Sequence, residues 1–124
     1  MTYKLIIQGR LAGMNEYTEQ NRRNKYAGAS MKAKEQARVE WAIRNQLRTV
    51  KKLKTPVNLA YTYYEPNKRR DKDNISAFAH KVVQDALTRT GLLENDGWAE
   101  IGSFQDDFFV SKEDPRIEVR IEEI

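Results

Sequence analysis

The feature that most limits the fold is a strand pattern in the middle of the chain, followed closely by an amphipathic helix. Apolar side chains occupy every second position over residues 57–63, which is the period of a β-strand with one buried face. Apolar residues then recur at helical spacing over residues 75–87. Asp73 or Asn74 is expected to cap this helix, and Gly91 to end it in a left-handed conformation. The two segments predict a helix packed on a β-sheet.

The other elements complete a small α+β domain. A further helix is expected over residues 30–50, capped by Ser30 and with Trp41 at the edge of its apolar stripe, whereas residues 9–29 are expected to form a long polar loop. Three more strand patterns occur at residues 3–8, 101–110 and 116–122. The order β-α-β-α-β-β predicts an α+β, or mixed α/β, fold in which two main helices pack on a four-stranded sheet. Residues 1–124 are expected to form one domain.

Composition excludes several classes of protein. The chain has 124 residues and no cysteine, so neither a disulfide nor a thiolate metal site can form. The apolar run near its start, residues 5–7, is too short for a signal peptide or a membrane span. We therefore expect a cytoplasmic protein that has no membrane partner.

Positive charge is concentrated in the first half of the chain. The formal net charge is +4, and basic residues outnumber acidic ones over residues 10–54. Such segregation is typical of a surface that contacts the phosphate backbone of a nucleic acid. The candidate DNA contacts are Arg10, Arg22, Arg23, Lys25, Arg69 and Arg70. A solvated helix face or a surface loop would give the same pattern, so both interpretations stay open.

Two carboxylates lie among these basic residues, immediately before the predicted second helix. Asp71 and Asp73 are two residues apart, so in an extended segment they point to the same side. Paired carboxylates favour a hard cation such as Mg²⁺ or Mn²⁺, which keeps waters that a substrate phosphate can replace. Asp96 follows the helix and could return a third carboxylate to the same place. The alternative is that the pair forms only a turn and a helix cap.

Several nearby side chains are candidates for supporting roles. Lys81 and Asp85 are four residues apart on the predicted helix and can form an ion pair, which could equally be an ordinary surface pair. Asn74 can cap the helix or orient a metal ligand. His80, the only histidine, is interpreted as an incidental exposed residue rather than a general base, and Trp98 as a packing residue.

The motifs together resemble the RusA family of Holliday junction resolvases over residues 3–124. The matching residues are Arg70-Asp71-Lys72-Asp73-Asn74, Lys81, Asp85-Ala86-Leu87, Gly91-Leu92-Leu93 and Asn95-Asp96, with Gly9 and Asn15 near the start. The interval from Asp73 to Lys81 is longer than in the enterobacterial member by about four residues, or one helical turn. This interval resembles that of variants from Gram-positive bacteria and their phages. Asn95 stands where the family usually has an acid.

The resemblance implies a metal-dependent endonuclease that resolves four-way DNA junctions as a homodimer. Asp71, Asp73 and Asp96 would be the metal ligands, and Lys81 would stabilise charge on the phosphate in the transition state. The predicted helix would span roughly 22–24 Å, whereas residues 91–96 reach only about 17 Å when extended. We therefore expect either a shorter or bent helix, or a site that Asp96 completes in the other subunit. Two sites under two-fold symmetry would suit the two matched nicks that a junction needs.

Two functions of other classes also stay open from the sequence. A catalytically silent DNA-binding protein would use the same basic surface, and a small interaction protein would need the aspartates only as a turn. The clustered acids favour the nuclease, because carboxylates beside a DNA-binding surface repel phosphate unless a cation neutralises them.

Overall fold

The computed structural model describes residues 1–124 as a four-stranded sheet with three helices. The strands are β1 (Thr2–Gln8), β2 (Val57–Glu65), β3 (Ile101–Val110) and β4 (Arg116–Glu123). The helices are α1 (Met14–Arg23), α2 (Lys25–Gln46) and α3 (Lys72–Arg89). The sheet order is β1-β4-β2-β3, in which β4 is antiparallel to both of its neighbours and β2 is parallel to β3. The predicted α+β class and the four-stranded sheet are confirmed.

The segment predicted as a long loop, residues 9–29, is largely helical, so that prediction was wrong. It contains α1 and the start of α2, which gives the order β-α-α-β-α-β-β. Asn24 rather than Ser30 caps α2, because its side chain accepts hydrogen bonds from the backbone nitrogens of Tyr26 at 3.0 Å and Ala27 at 2.9 Å. The helix also ends earlier than predicted, at Gln46.

Contacts with other helices hold α1 in place, which explains why its own sequence did not reveal it. None of its residues is fully buried. Tyr17 packs its ring against Phe78 of α3, with 5.3 Å between the ring centroids. Gly28 lets α2 approach α1 closely, because a Cβ there would lie 1.7 Å from the Oδ1 atom of Asn21. The two helices therefore pack together on either side of the turn at Asn24.

The core lies between one face of the sheet and the helices. Residues 57–63 of β2 alternate between buried and partly buried side chains, as their pattern predicted. The buried residues of β4 are Ile117, Val119 and Ile121, and those of α3 include Ile75, Phe78, Val82, Ala86 and Leu87. Gly91 follows α3 with a φ of 85°. The apolar stripes of these three elements and the left-handed helix end are confirmed.

Neither tryptophan packs in the core, so the interpretation of Trp98 as a packing residue was wrong. Trp41 is 68% exposed and Trp98 is 101% exposed. Trp41 lies between buried positions of α2, Val39 and Ala42, and one residue of helix turns the side chain by about 100°. Trp98 lies in the turn between α3 and β3, where no element covers it.

The other face of the sheet is open, and β1 and β3 form its edges. The three helices pack against one another, and alternate residues of β2 stay only partly buried. The most exposed strand is β3, in which Phe104, Phe109 and Val110 are each about half exposed. None of the helices is long and apolar enough to cross a membrane.

Candidate active-site cleft

A cleft of about 910 Å³ lies where the carboxyl ends of β2 and β3 meet the start of α3. Both predicted aspartates, Asp71 and Asp73, line this cleft together with Lys68, Lys72 and Phe109. The connection from β2 to α3 is short, residues 66–71, and it passes along the rim of the cleft. The chain therefore places two carboxylates and several cations around one concave surface.

A buried ion pair anchors the segment that carries the two aspartates. Glu65 is 5% exposed, and its carboxylate accepts hydrogen bonds from Nε and Nη2 of Arg70 at 3.0 and 2.8 Å. Arg70 also donates from Nη1 to the carbonyl oxygen of Leu11 at 2.9 Å. The guanidinium is therefore turned inward, and the predicted contact of Arg70 with DNA does not agree with this arrangement. Its position holds the start of α3 against the end of β2.

Sequence reasoning missed Glu65, although the alternation of β2 indicates its burial. Residues 57–63 place one face of the strand in the core, and Glu65 continues that face by one further position. A buried carboxylate needs a charged or hydrogen-bonded partner. The alternation of β2 indicates that Glu65 is buried, and the arginines that follow it are possible partners, so the sequence contained enough information to predict this ion pair.

The two aspartates have different positions at the start of α3. Asp71 is the N-cap residue, with extended backbone angles, but its carboxylate makes no capping hydrogen bond. Asp73 lies in the first turn, so the prediction that Asp73 or Asn74 caps this helix was wrong. Both carboxylates are exposed to solvent at the positive end of the helix dipole. The arrangement leaves their oxygens free to bind a cation.

Asn74 supports the site by joining two helices. Its Oδ1 atom accepts a hydrogen bond from the backbone nitrogen of Asn15 at 2.7 Å, in the first turn of α1. Gly13 allows this contact, because a Cβ there would lie 2.5 Å from the same Oδ1 atom. Asn74 therefore caps α1 rather than its own helix, and fixes the start of α1 against the start of α3.

Lys81 and Asp85 do not form the predicted ion pair. Asp85 pairs instead with Lys32 of α2, because that lysine approaches the same side of α3. Lys81 is exposed, and its backbone lies about 12 Å along the helix axis from that of Asp73. Its ammonium group is thus free for a ligand, although its backbone lies two helical turns from the carboxylates.

Asp96 lies at the opposite end of the chain's sheet from the other two aspartates. Two backbone hydrogen bonds hold the turn that carries Asp96 beside the start of β2. The carbonyl of Leu92 accepts one from the backbone nitrogen of Leu53, and the carbonyl of Glu100 accepts one from the backbone nitrogen of Val57. The intervening helix, α3, has 18 residues and a length of about 27 Å. A single chain contains no group of three histidine or acidic side chains that could hold a metal ion.

His80 is neither incidental nor exposed, and that interpretation was wrong. Its Nε2 atom lies 2.7 Å from Oδ1 of Asp106, and its ring lies 4.6 Å from those of Tyr61 and Phe104. The Tyr63 hydroxyl donates to the same carboxylate oxygen at 2.8 Å. Burial and the bond to Asp106 raise the pKa of Tyr63, so its hydroxyl stays protonated as the donor. This network joins α3 to β3.

Two groups of exposed cations include side chains that the sequence predicted to contact DNA. Arg22, Arg23 and Lys25 are exposed around the turn between α1 and α2, where the Lys25 ammonium lies 5.1 Å from the centre of the Tyr26 ring. Lys68, Arg69 and Lys72 are exposed beside the cleft. Sequence reasoning omitted Lys68 and Lys72 as candidates for DNA binding, although their charge and their closeness to the aspartates indicate such a role.

Comparison with known families gives the class of protein and then its family. A cleft that combines free carboxylates with exposed cations is typical of enzymes that act on phosphate esters. The family model described as Endodeoxyribonuclease RusA matches residues 12–122. The chain therefore belongs to the RusA endodeoxyribonuclease family, and it is an endodeoxyribonuclease of the Holliday junction resolvase type. No curated protein matches its sequence significantly.

Proposed function

We propose that this enzyme is a divalent-metal-dependent homodimer that resolves four-way DNA junctions by paired, symmetric nicks. The observation that carries the proposal is the pair of exposed carboxylates, Asp71 and Asp73, in the cleft of a chain that belongs to an endodeoxyribonuclease family. Residues 1–124 act together as one RusA-like domain. Its substrate is branched DNA in the cytoplasm.

Asp71 and Asp73 would hold Mg²⁺ or Mn²⁺. Mg²⁺ is commonly bound by one or two carboxylates together with substrate phosphates, so two free carboxylates in an open cleft fit this ion. When bound, such an ion polarises the scissile phosphate and lowers the pKa of a water that can attack it. The role of the protein is to hold the two oxygens at the end of a rigid helix.

The basic side chains of the cleft bind and orient the DNA strand. Lys68, Arg69 and Lys72 are exposed there and offset the repulsion between the aspartates and the DNA backbone. Lys81 has no acidic partner within ion-pairing distance and projects from the same helix as Asp73. It stabilises the charge that develops on a phosphate lying along α3 during hydrolysis.

Asp96 completes the site from the partner subunit in this proposal. It lies too far along the same chain to reach Asp71, since α3 alone separates them by about 27 Å. A two-fold axis that brings the turn after α3 of each subunit to the cleft of the other would complete both sites at once. The same symmetry matches the two equivalent strands that a junction resolvase must nick.

Contacts with the DNA backbone outside the cleft involve the turn between α1 and α2. Arg22, Arg23 and Lys25 are all exposed there and would each neutralise a phosphate. The Arg10 side chain is 46% exposed, with Nη1 3.9 Å from Glu65, so it is only partly available to DNA. The contacts of this surface contribute to the affinity for DNA rather than to the hydrolysis of the phosphodiester.

A catalytically silent DNA-binding protein is the second candidate. The observation that favours it is the separation of Asp96 from Asp71 and Asp73 within one chain. Against it, two carboxylates beside a DNA surface weaken binding even when nearby cations offset part of the repulsion, and they serve no purpose in a pure binder.

Cleavage of a synthetic four-way junction distinguishes the two candidates. The wild-type protein should cut the junction with Mg²⁺ or Mn²⁺ and should be inactive with EDTA. The Asp71→Asn variant should bind the junction and leave it intact. Tight binding by the wild type, with no cleavage in either metal at any protein concentration that assembles a dimer, would establish the silent binder instead.

A further inference from the structure

Three side chains form a stacked row across the open face of the sheet. Tyr64 of β2 is in register with Phe109 of β3 on one side and with Arg116 of β4 on the other. The rings of Tyr64 and Phe109 are stacked with 5.6 Å between their centroids and 25° between their planes. The Arg116 guanidinium lies 3.8 Å from the centre of the Tyr64 ring. Phe109 is therefore the outermost layer of a stack of three groups.

The inner layers of this stack are held rigidly. Arg116 donates from Nε to Glu118 at 2.7 Å and from Nη1 to the carbonyl oxygen of Asp114 at 3.0 Å. Tyr64 is clamped between that guanidinium and Phe109, on a central strand of the sheet. A ligand that stacks on Phe109 would thus meet a preorganised surface, which reduces the entropy lost on binding.

Phe109 itself lies at the rim of the active-site cleft. It lines the cleft with Asp71 and Asp73, and it is 54% exposed. Its neighbour Phe108 points to the other face of the sheet and stacks on Tyr63 with 4.8 Å between centroids. Because β3 is an edge strand, no further strand lies beyond Phe109. One side of its ring is covered by Tyr64, and the exposed part of the side chain lies on the open face of the sheet at the rim of the cleft.

We infer that Phe109 is a stacking site for a nucleobase that loses its stacking neighbour at the branch point of the DNA. The inference depends on the proposed function, because it places the base next to the phosphate that the cleft would hydrolyse. Aromatic rings bind exposed bases of any sequence by stacking, whereas in an intact duplex the bases are paired and covered. Phe109 therefore selects branched DNA over linear duplex.

A substitution at Phe109 tests the inference in binding rather than in cleavage. Affinities of the Phe109→Leu variant for a four-way junction and for a duplex of the same sequence are measured in Ca²⁺. Loss of one stacked base should weaken junction binding about 5- to 140-fold and leave duplex binding unchanged. Phe109→Trp should retain wild-type preference. Phe104→Leu is a matched control, because Phe104 is 53% exposed on the same strand but does not line the cleft.

A junction that lacks the bases at its branch point supplies the decisive comparison. Wild-type affinity should fall on this abasic junction, whereas Phe109→Leu should bind both junctions equally, because the same contact is absent in each case. Additive losses from the two changes would overturn the inference. A fall in duplex affinity as large as the fall in junction affinity would also overturn it. So would dissociation of the dimer in sedimentation, which would assign Phe109 to a subunit contact.

These results separate the inference from the proposed function. If the wild type neither cleaves junctions nor prefers them to duplex, the proposed function fails before Phe109 is considered. If the wild type cleaves and prefers junctions, and Phe109→Leu does both equally well, only the stacking site is wrong.

Discussion

Arg69 and Arg70 are adjacent in the sequence, but substitutions of them should affect different properties of the protein. Arg70 satisfies the buried carboxylate of Glu65 through two hydrogen bonds of 3.0 and 2.8 Å, and its side chain is only 12% exposed. Arg69 is exposed beside the cleft. We expect Arg70→Met to destabilise the fold, and Arg69→Ala to weaken DNA binding without affecting stability.

The magnitude of the Arg70 effect follows from the burial of its partner. Removing one member of a buried ion pair typically destabilises a protein by about 3–5 kcal/mol, because the other charge is left without compensation. Arg10, at 3.9 Å from Glu65, retains some of that compensation, so the low end of about 3 kcal/mol is expected. In a chain of this length the melting temperature should fall by roughly 10–15 °C.

Thermal and urea unfolding of three variants measures this effect. Arg69→Ala should stay within about 0.5 kcal/mol of the wild type. The double variant Glu65→Leu/Arg70→Met should recover most of the stability that Arg70→Met loses, since no charge is then buried alone. Equal losses in the double and single variants would refute the view that an unpaired Glu65 causes the destabilisation.

Three further predictions concern the cleft and the surfaces around it. Asp71→Asn should abolish metal-dependent cleavage while changing the free energy of unfolding by less than about 1 kcal/mol, as measured by urea titration, since the Asp71 carboxylate makes no capping hydrogen bond that the change would remove. Gly13→Ala should destabilise the fold by about 1–3 kcal/mol, because its Cβ would displace Asn74 from the start of α1, and the same titration would detect this loss. Replacing Arg22 and Arg23 together by Gln should reduce the slope of log affinity against log salt by about 2, and an unchanged slope would exclude phosphate contacts there.

The parts of the fold that the sequence predicted are those whose apolar periodicity matches a single element. The alternation over residues 57–63 and the stripe of α3 each report burial directly, so β2 and α3 were recognised. α1 was missed because it buries no residue fully and depends on contacts distant in the chain, such as that between Tyr17 and Phe78. Asn24 and Ser30 are both favourable N-cap residues, so the sequence alone did not show that α2 begins after Asn24 rather than after Ser30.

The candidate site was predictable as far as its local motif. The closeness of Asp71 and Asp73 follows from their spacing, and the length of α3 gave the correct expectation that Asp96 cannot reach them in a regular helix. The partners of Asp85 and of the only histidine depend on tertiary packing, so spacing along the chain could not identify them. An i,i+4 spacing permits an ion pair on a helix but does not exclude a stronger partner on a neighbouring helix.

Chain mixing tests the central proposal, a shared site, most directly. Asp71→Asn and Asp96→Asn proteins, each inactive alone, are exchanged into heterodimers that carry different affinity tags. Sites that combine residues of both subunits would leave one intact site in each heterodimer, so about a quarter of the sites should regain metal-dependent junction nicking after random exchange. If purified heterodimers stay inactive although they bind the junction, Asp96 does not act across the dimer.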